Sequence, residues 1–209
     1  MAESERQPEW FKIGDELLRP LIGMSVATAR SHRLPTVDLQ PLAELALCHH
    51  AGCMEASIHI NGRGKHSAAI CLVRQSVEAL TIAEIGLQRA EFAEPLLAAW
   101  KDGKKSHGEL RRALEKDVWP SYGTGLWDES WADFYGNLAR AVQPYAHYTS
   151  ELQGWQLVTV AYEGGREFVA MHGLETYDPL QASRITLFHM LLTWMLGRIL
   201  LAHGKNTDV

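Results

Sequence analysis

The chain of 209 residues has few cysteines, no secretory start and no surplus of positive charge. Its three cysteines, Cys48, Cys53 and Cys71, are an odd number inside apolar helical runs, so we expect reduced thiols in a cytoplasmic protein. The polar residues 1–8 are not followed by an apolar core, which argues against a secretory signal. A net charge of −5 provides no bulk attraction to nucleic acid or to anionic membranes.

The signatures of common enzyme classes are also absent from the sequence. It has no Walker loop, dinucleotide fingerprint, serine-centred nucleophile elbow or zinc-protease helix. Thiolate and imidazole ligands that suit zinc do occur together between Cys48 and His59, but not at the spacing of a zinc finger. We therefore expect no metal and no cofactor.

One apolar segment, from Ile185 to Ala202, approaches the length that spans a bilayer. Arg198 within it would cost roughly 2.5–3.5 kcal/mol at the bilayer centre. A protein core or a subunit interface accommodates this arginine more readily, so we expect no membrane association.

The pattern of apolar residues predicts a mostly α-helical bundle organised around one central helix, residues 67–88. Between Ser67 and Gln88 the apolar residues leave almost no polar face, so a helix here must be covered on every side. The preceding helix ends at Asn61-Gly-Arg-Gly-Lys65, where glycine tolerates the tight turn. The two helices should therefore form an antiparallel hairpin.

The length and the 46% hydrophobic content suit a single domain over residues 1–209. Residues 1–37 read as an N-terminal docking arm, and 38–152 supply the core helices. A switch to alternating apolar and polar residues predicts a small β-hairpin near 156–171. A C-terminal helix over 178–203 completes the domain.

Local signals predict where several of these elements begin, bend or turn. Pro20 should break or kink the helix of the docking arm. Ser106 and Glu109 have the spacing of a capping box, and Asp128 can cap a later helix. Gly164-Gly165 provides the turn of the β-hairpin.

Two charges of the central helix, Arg74 and Glu78, predict a polar cluster. They lie four residues apart, on one face of the helix. A turn near Arg63 and Gly64 would bring the pair level with polar residues of the preceding helix. Unpaired buried charges cost several kcal/mol each, so either a structural network or an anion, base or metal site is expected. The predicted cluster is Arg74, Glu78, His49, His50 and Glu55.

The turn before the central helix is a candidate anion-binding site. Arg63, Lys65 and His66 place positive side chains and backbone N–H groups before a helix start. A solvated turn is the alternative interpretation.

Four segments resemble an uncharacterised group of bacterial all-helical proteins. They carry an Arg-x3-Glu helix, a Trp-ending helix, a Leu-Arg helix and a segment ending in proline, and lie at 72–80, 96–100, 108–112 and 137–145. The resemblance covers about residues 40–150, and Gln143 stands where that group has histidine. The group is similar in helical outline to the HEPN superfamily. This implies RNA-cleaving toxins or partners of nucleotidyltransferases, in a toxin or phage-defence context.

The last helix contains the Arg-x4-His spacing of the HEPN ribonuclease motif, at Arg184 with His189 and at Arg198 with His203. The resemblance implies that histidine transfers a proton and arginine stabilises phosphate during attack by the ribose 2′-hydroxyl. A polar residue usually follows the arginine of the motif, whereas Ile185 follows Arg184 here. RNA is a partner only under this alternative, with Arg184 and His189 as the catalytic candidates.

Excess apolar surface favours association over catalysis. Apolar residues surround the whole circumference of the last helix, which is more than one core contact uses. We therefore predict a homodimer across a two-fold axis, or a complex with another protein, with Leu191, Trp194 and Met195 at the interface. A metal-binding or small-ligand-binding bundle is the third hypothesis.

Overall fold

The computed structural model describes residues 9–162, 165–170 and 177–207. These ranges are mostly α-helical, as predicted. The helices are α1 (Glu9–Ser31), α2 (Leu42–Gly62), α3 (His66–Gly86), α4 (Ala90–Lys101), α5 (His107–Asp117), α6 (Trp131–Val142), α7 (Ser150–Gly154) and α8 (Pro179–Thr207). Short 3₁₀ turns at Trp119–Ser121 and Gln143–Ala146 follow α5 and α6.

Two strands lie between α7 and α8. β1 (Leu157–Tyr162) and β2 (Gly165–Ala170) pair antiparallel, from Leu157 opposite Ala170 to Tyr162 opposite Gly165. Gly164, the other residue of the predicted turn, lies outside the described residues.

α2 and α3 pack antiparallel along their length. Gly64 in their connection has a φ of 81°, a conformation that glycine adopts without steric cost. At the far end of the pair, a Cβ on Gly86 would lie only 2.7 Å from the Cβ of Ala43. The absence of a side chain at Gly86 is therefore what allows the two helices to approach this closely.

α3 contacts α2, α4, α5, α6 and α8. Every residue from Ala79 to Gly86 is buried. The second half of α3 therefore lies in the core, with the polar Thr81 and Glu84 buried among its apolar residues.

Three local predictions can be compared directly with the helix ends. Ser106 and Glu109 form the predicted capping box at the start of α5. The prediction for Asp128 was wrong, because Ser130 caps α6 by accepting a hydrogen bond from the backbone N of Asp133 at 3.1 Å. α1 continues through Pro20, which is exposed, instead of breaking there.

α8 packs against α1, α2 and α3. Its residues Leu192, Met195 and Leu196 are fully buried in this core. Among the described helices, α8 alone is long and apolar enough over Pro179–His203 to cross a membrane by length and composition. A buried core helix meets the same criterion, and much of the apolar surface of α8 is used in this way.

Candidate functional site

The structure separates the two residues of the ribonuclease alternative. His189 is only 5% exposed, whereas Arg184 is exposed. The His189 Nε2 lies 2.8 Å from the Ser57 hydroxyl, which itself donates to the Ala69 carbonyl at 2.9 Å. Since that hydroxyl has one proton, His189 must be the donor to it. Burial lowers the pKa of His189 to about 3, so this imidazole is a neutral core group and does not share an open site with Arg184.

The predicted pair of Arg74 and Glu78 is present at the edge of the core. The Arg74 Nη2 lies 2.5 Å from the Glu78 Oε1, and the two side chains are 14% and 32% exposed. The Nδ1 of His107, from α5, lies 4.0 Å from the same oxygen. Burial lowers the pKa of His107, Glu78 raises it and Arg74 lowers it. Arg74 also donates to the Oε1 of Gln143 at 3.4 Å, so the pair joins α3 to α5 and to the 3₁₀ turn after α6.

The three α2 residues of the predicted cluster lie elsewhere. His50 is fully buried, with its Nδ1 2.5 Å from the Ser76 hydroxyl, and burial lowers its pKa to about 4. The Nε2 of His49 lies 3.5 Å from the sulfur of Cys53 on the same helix, and Glu55 is exposed. Facing levels in a hairpin do not tell which sides of two helices touch, which is why this part of the prediction was wrong. Within the described residues no group of three potential metal ligands occurs.

The histidine of the predicted anion site, His66, belongs to the core. His66 is buried, with its Nδ1 2.7 Å from the Asn61 side-chain oxygen. The backbone N of Asp178 donates to the His66 Nε2 at 3.1 Å, which joins the turn to the start of α8. Burial lowers the pKa of His66, an effect that Asp178 partly offsets. Arg63 and Lys65 are exposed, whereas this imidazole is buried.

Two of the three predicted interface residues pack within the chain. Met195 is fully buried. The ring of Trp194 lies 5.3 Å from Trp131 and 5.1 Å from Phe134, measured between ring centroids. The Arg198 guanidinium lies 5.4 Å from the centroid of the Trp194 ring. Trp194 is therefore part of an aromatic cluster that joins α6 to α8.

An apolar groove of about 410 Å³ lies between α6 and α8. Phe134 and Leu138 line it from α6, and Phe188 and Leu191 line it from α8. Trp127, in the loop before α6, closes one end. We call this surface the α6–α8 groove, and Leu191 is the one predicted interface residue that belongs to it.

Trp127 is 75% exposed although its backbone is held firmly. The Oε2 of Glu129 accepts a hydrogen bond from the Trp127 backbone N at 2.8 Å, and the backbone N of Gly125 donates to the Glu129 carbonyl at 2.8 Å. Asp128 has a φ of 62°, which is uncommon for a residue with a side chain. Such strained conformations persist where the surrounding structure imposes them, often at functional sites. This loop therefore holds the backbone of Trp127 and leaves its large aromatic side chain exposed to solvent.

The two ends of the α6–α8 groove differ in the charged residues near them. Trp194 contacts Trp131, the first residue of α6. Phe188, which is nearer the start of α8, lines the groove together with later residues of α6. The two helices therefore run antiparallel here. The exposed Arg184 then lies towards the end of α6 that carries the exposed Arg140. The other end carries Glu129 in the lining and the exposed Asp133 near it, with the Arg198 guanidinium 5.3 Å from the centroid of the Trp131 ring.

The apolar pattern of the sequence could not show which residues line this groove. The loop from Trp119 to Trp127 is rich in aromatic residues and glycine, which was the one available signal. No family model, curated protein or solved structure matches this chain.

Proposed function

We propose that this protein is a cytoplasmic, non-enzymatic homodimer that acts by association through the α6–α8 groove. The observation that carries this proposal is Trp127, which stands 75% exposed at the end of an apolar groove on a firmly held loop. Tryptophan is among the residues most enriched in interface hot spots. An anchor already held in position loses less conformational entropy on binding than a mobile one.

A second copy of the chain is the partner that this surface fits. Trp127 and the groove adjoin on the same face, so a two-fold axis lets each copy insert its Trp127 into the groove of the other. The groove volume of about 410 Å³ lies in the range of pockets that enclose a small ring system. Both insertions are equivalent, which closes the assembly at two subunits.

The charges at the groove ends support the same arrangement. A two-fold axis through the middle of the groove exchanges its ends, so the end near Asp133 in one copy lies over the end near Arg184 in the other. Asp133 then approaches Arg184 of the partner subunit. Complementary charges at an interface rim favour the correct orientation and raise the association rate.

The proposal also takes the chain as a single domain, residues 1–209, with α3 as its central helix and β1 and β2 as a small hairpin. Burial of α3 from Ala79 to Gly86 supports the central position. The HEPN-like ribonuclease remains the weaker alternative, because His189 is buried and hydrogen-bonded to Ser57 while Arg184 is exposed.

Substitution of Trp127 tests the proposed dimer. We expect Trp127→Ala to weaken the dimer by about 2 kcal/mol or more, roughly thirtyfold in the dissociation constant, as measured by sedimentation equilibrium. Tyr148→Ala is the matched control, since Tyr148 is another aromatic residue, 68% exposed and outside the groove. Equal dissociation constants for the two variants, or a monomeric wild type, would contradict the proposal.

A charge exchange tests the orientation of the two copies. Arg184→Asp should weaken the dimer, because it places an acid opposite Asp133 of the partner subunit. Adding Asp133→Arg to the same chain should restore the affinity, since opposite charges face each other again. If the double variant is no tighter than the single one, the two-fold arrangement is wrong.

A further inference from the structure

A separate cleft of about 360 Å³ lies where several helices end. His32 directly follows α1, Gln88 lies just beyond α3, Asp117 is the last residue of α5 and His203 lies near the end of α8. α4 begins here, after Arg89, as does the short 3₁₀ turn after Val118, and the start of α2 packs against Gly86 nearby. Helix C-termini carry partial negative charge and N-termini partial positive charge. The α-helix ends that contribute lining residues are four C-termini and one N-terminus, so partial negative charge predominates in the lining.

Two histidines of the cleft are compatible with partial negative charge from the backbone. The His32 Nε2 lies 2.9 Å from the Gln88 carbonyl, to which it must donate because a carbonyl only accepts. The rings of His32 and His203 lie 5.4 Å apart in an edge-to-face arrangement. Burial lowers the pKa of His203, the neighbouring His32 lowers it further, and a hydrogen bond to the Leu87 backbone offsets part of this. His203 therefore adds no positive charge to the cleft at neutral pH.

One acidic side chain adds to the negative field. Asp117 is exposed at the rim. Arg89 is the only arginine or lysine among the described lining residues, and it is exposed.

We propose that this cleft binds a small organic cation, such as a primary amine, with Asp117 as its counter-ion. The Gln88 carbonyl accepts one hydrogen bond from His32 and keeps a second lone pair, which is the acceptor for the ammonium group. Phe92 lines the cleft from α4, and an aromatic ring is a group that attracts cations. The cleft has the volume of a small-molecule site, and its side chains include both apolar and polar groups.

Three probes of the same shape and different charge test the ligand class. Benzylamine, benzyl alcohol and benzoate share one ring and differ in carrying a positive, neutral or negative group at neutral pH. We expect benzylamine to bind most tightly and benzoate least, in titrations of the full chain followed by NMR chemical shifts. Benzoate binding as tightly as benzylamine would overturn the proposal, and so would the absence of binding by all three at millimolar concentration.

A pair of variants on α5 tests the location of the site. Asp117→Asn should weaken benzylamine binding about two- to fivefold, the value of one partly exposed ion pair, and leave benzyl alcohol binding unchanged. Glu115→Gln is the matched control, because it removes the same charge from an exposed position of the same helix outside the cleft. Both variants should remain folded, since both side chains are exposed. An equal effect of the two variants on benzylamine binding, or none of either, would place the cation elsewhere and refute the assignment.

Discussion

Glu84→Gln should remove a pH-dependent part of the free energy of unfolding. Glu84 is fully buried in α3, and its Oε1 accepts a hydrogen bond from the Trp119 indole at 2.8 Å. Burial raises the pKa of Glu84 from 4.5 to about 7, against smaller lowering effects of its hydrogen bonds with Tyr122 and Trp119. The folded chain therefore keeps this proton over a pH range in which the unfolded chain has lost it.

The sign of the effect follows from proton linkage. The native state binds more protons than the unfolded state between pH 4.5 and about 7, so stability falls as pH rises through this window. The difference between 4.5 and about 7, at about 1.4 kcal/mol per pH unit, amounts to about 3 kcal/mol. This contribution is fully present below the pKa of the unfolded state and is lost above the pKa of the folded state.

Urea denaturation over a series of pH values measures this contribution. As the pH is raised from mildly acidic to mildly alkaline, the wild type should lose about 3 kcal/mol of stability. Glu84→Gln should not show this loss, because glutamine has no proton to lose. Glu55→Gln, at an exposed position of α2, is the control for a changed net charge. If the stability difference between Glu84→Gln and the wild type is the same at every pH, the described environment of Glu84 is wrong.

Two further pairs of substitutions test the packing, each by urea denaturation. Gly86→Ala should lower the free energy of unfolding by about 1–3 kcal/mol, because its Cβ would lie 2.7 Å from that of Ala43. Gly52→Ala, in the same helix pair but with open space around it, should raise that free energy by about 0.5–1 kcal/mol. His189→Ala should lower stability by about 2–4 kcal/mol without affecting any RNA turnover, whereas Arg184→Ala should stay within about 0.5 kcal/mol. Equal effects within either pair would contradict the packing.

The helices that follow from local sequence signals were predicted well. The mostly helical fold follows from the apolar patterns, and the glycine-containing turn before α3 predicts a hairpin, so neither inference needs knowledge of distant contacts. The capping box of Ser106 and Glu109 is equally local. The prediction that Asp128 caps α6 was wrong because Asp128 and Ser130 are both good capping residues. The loop places Asp128 in a left-handed conformation, which a capping residue does not have.

The candidate sites depend on which faces of the helices meet, and this was predicted only in part. Arg74 and Glu78 are neighbours on one helix, so their pairing follows from spacing alone. Their third partner, His107, comes from α5 and not from the adjacent α2, because the sides on which the helices touch depend on the whole packing. Sequence spacing could not show this.

The anchor of the proposed dimer also depends on packing between distant segments. Trp194 and Trp127 are both large and aromatic, and the apolar pattern of α8 favoured Trp194. α6 folds over α8, and contact with Trp131 and Phe134 covers much of Trp194, whereas the loop before α6 leaves Trp127 exposed. These contacts join residues about sixty positions apart, beyond the range of any local pattern.

Photo-cross-linking at position 127 is the most direct test of a dimer formed through the α6–α8 groove. A benzophenone amino acid replaces Trp127, and chains labelled with ¹⁴N and ¹⁵N are mixed so that mass spectrometry separates links within a chain from links between copies. We expect links between copies that join position 127 of one chain to the peptide containing Phe188 and Leu191 of the other. Links confined to single chains, or links between copies that map away from this peptide, would contradict the proposed function.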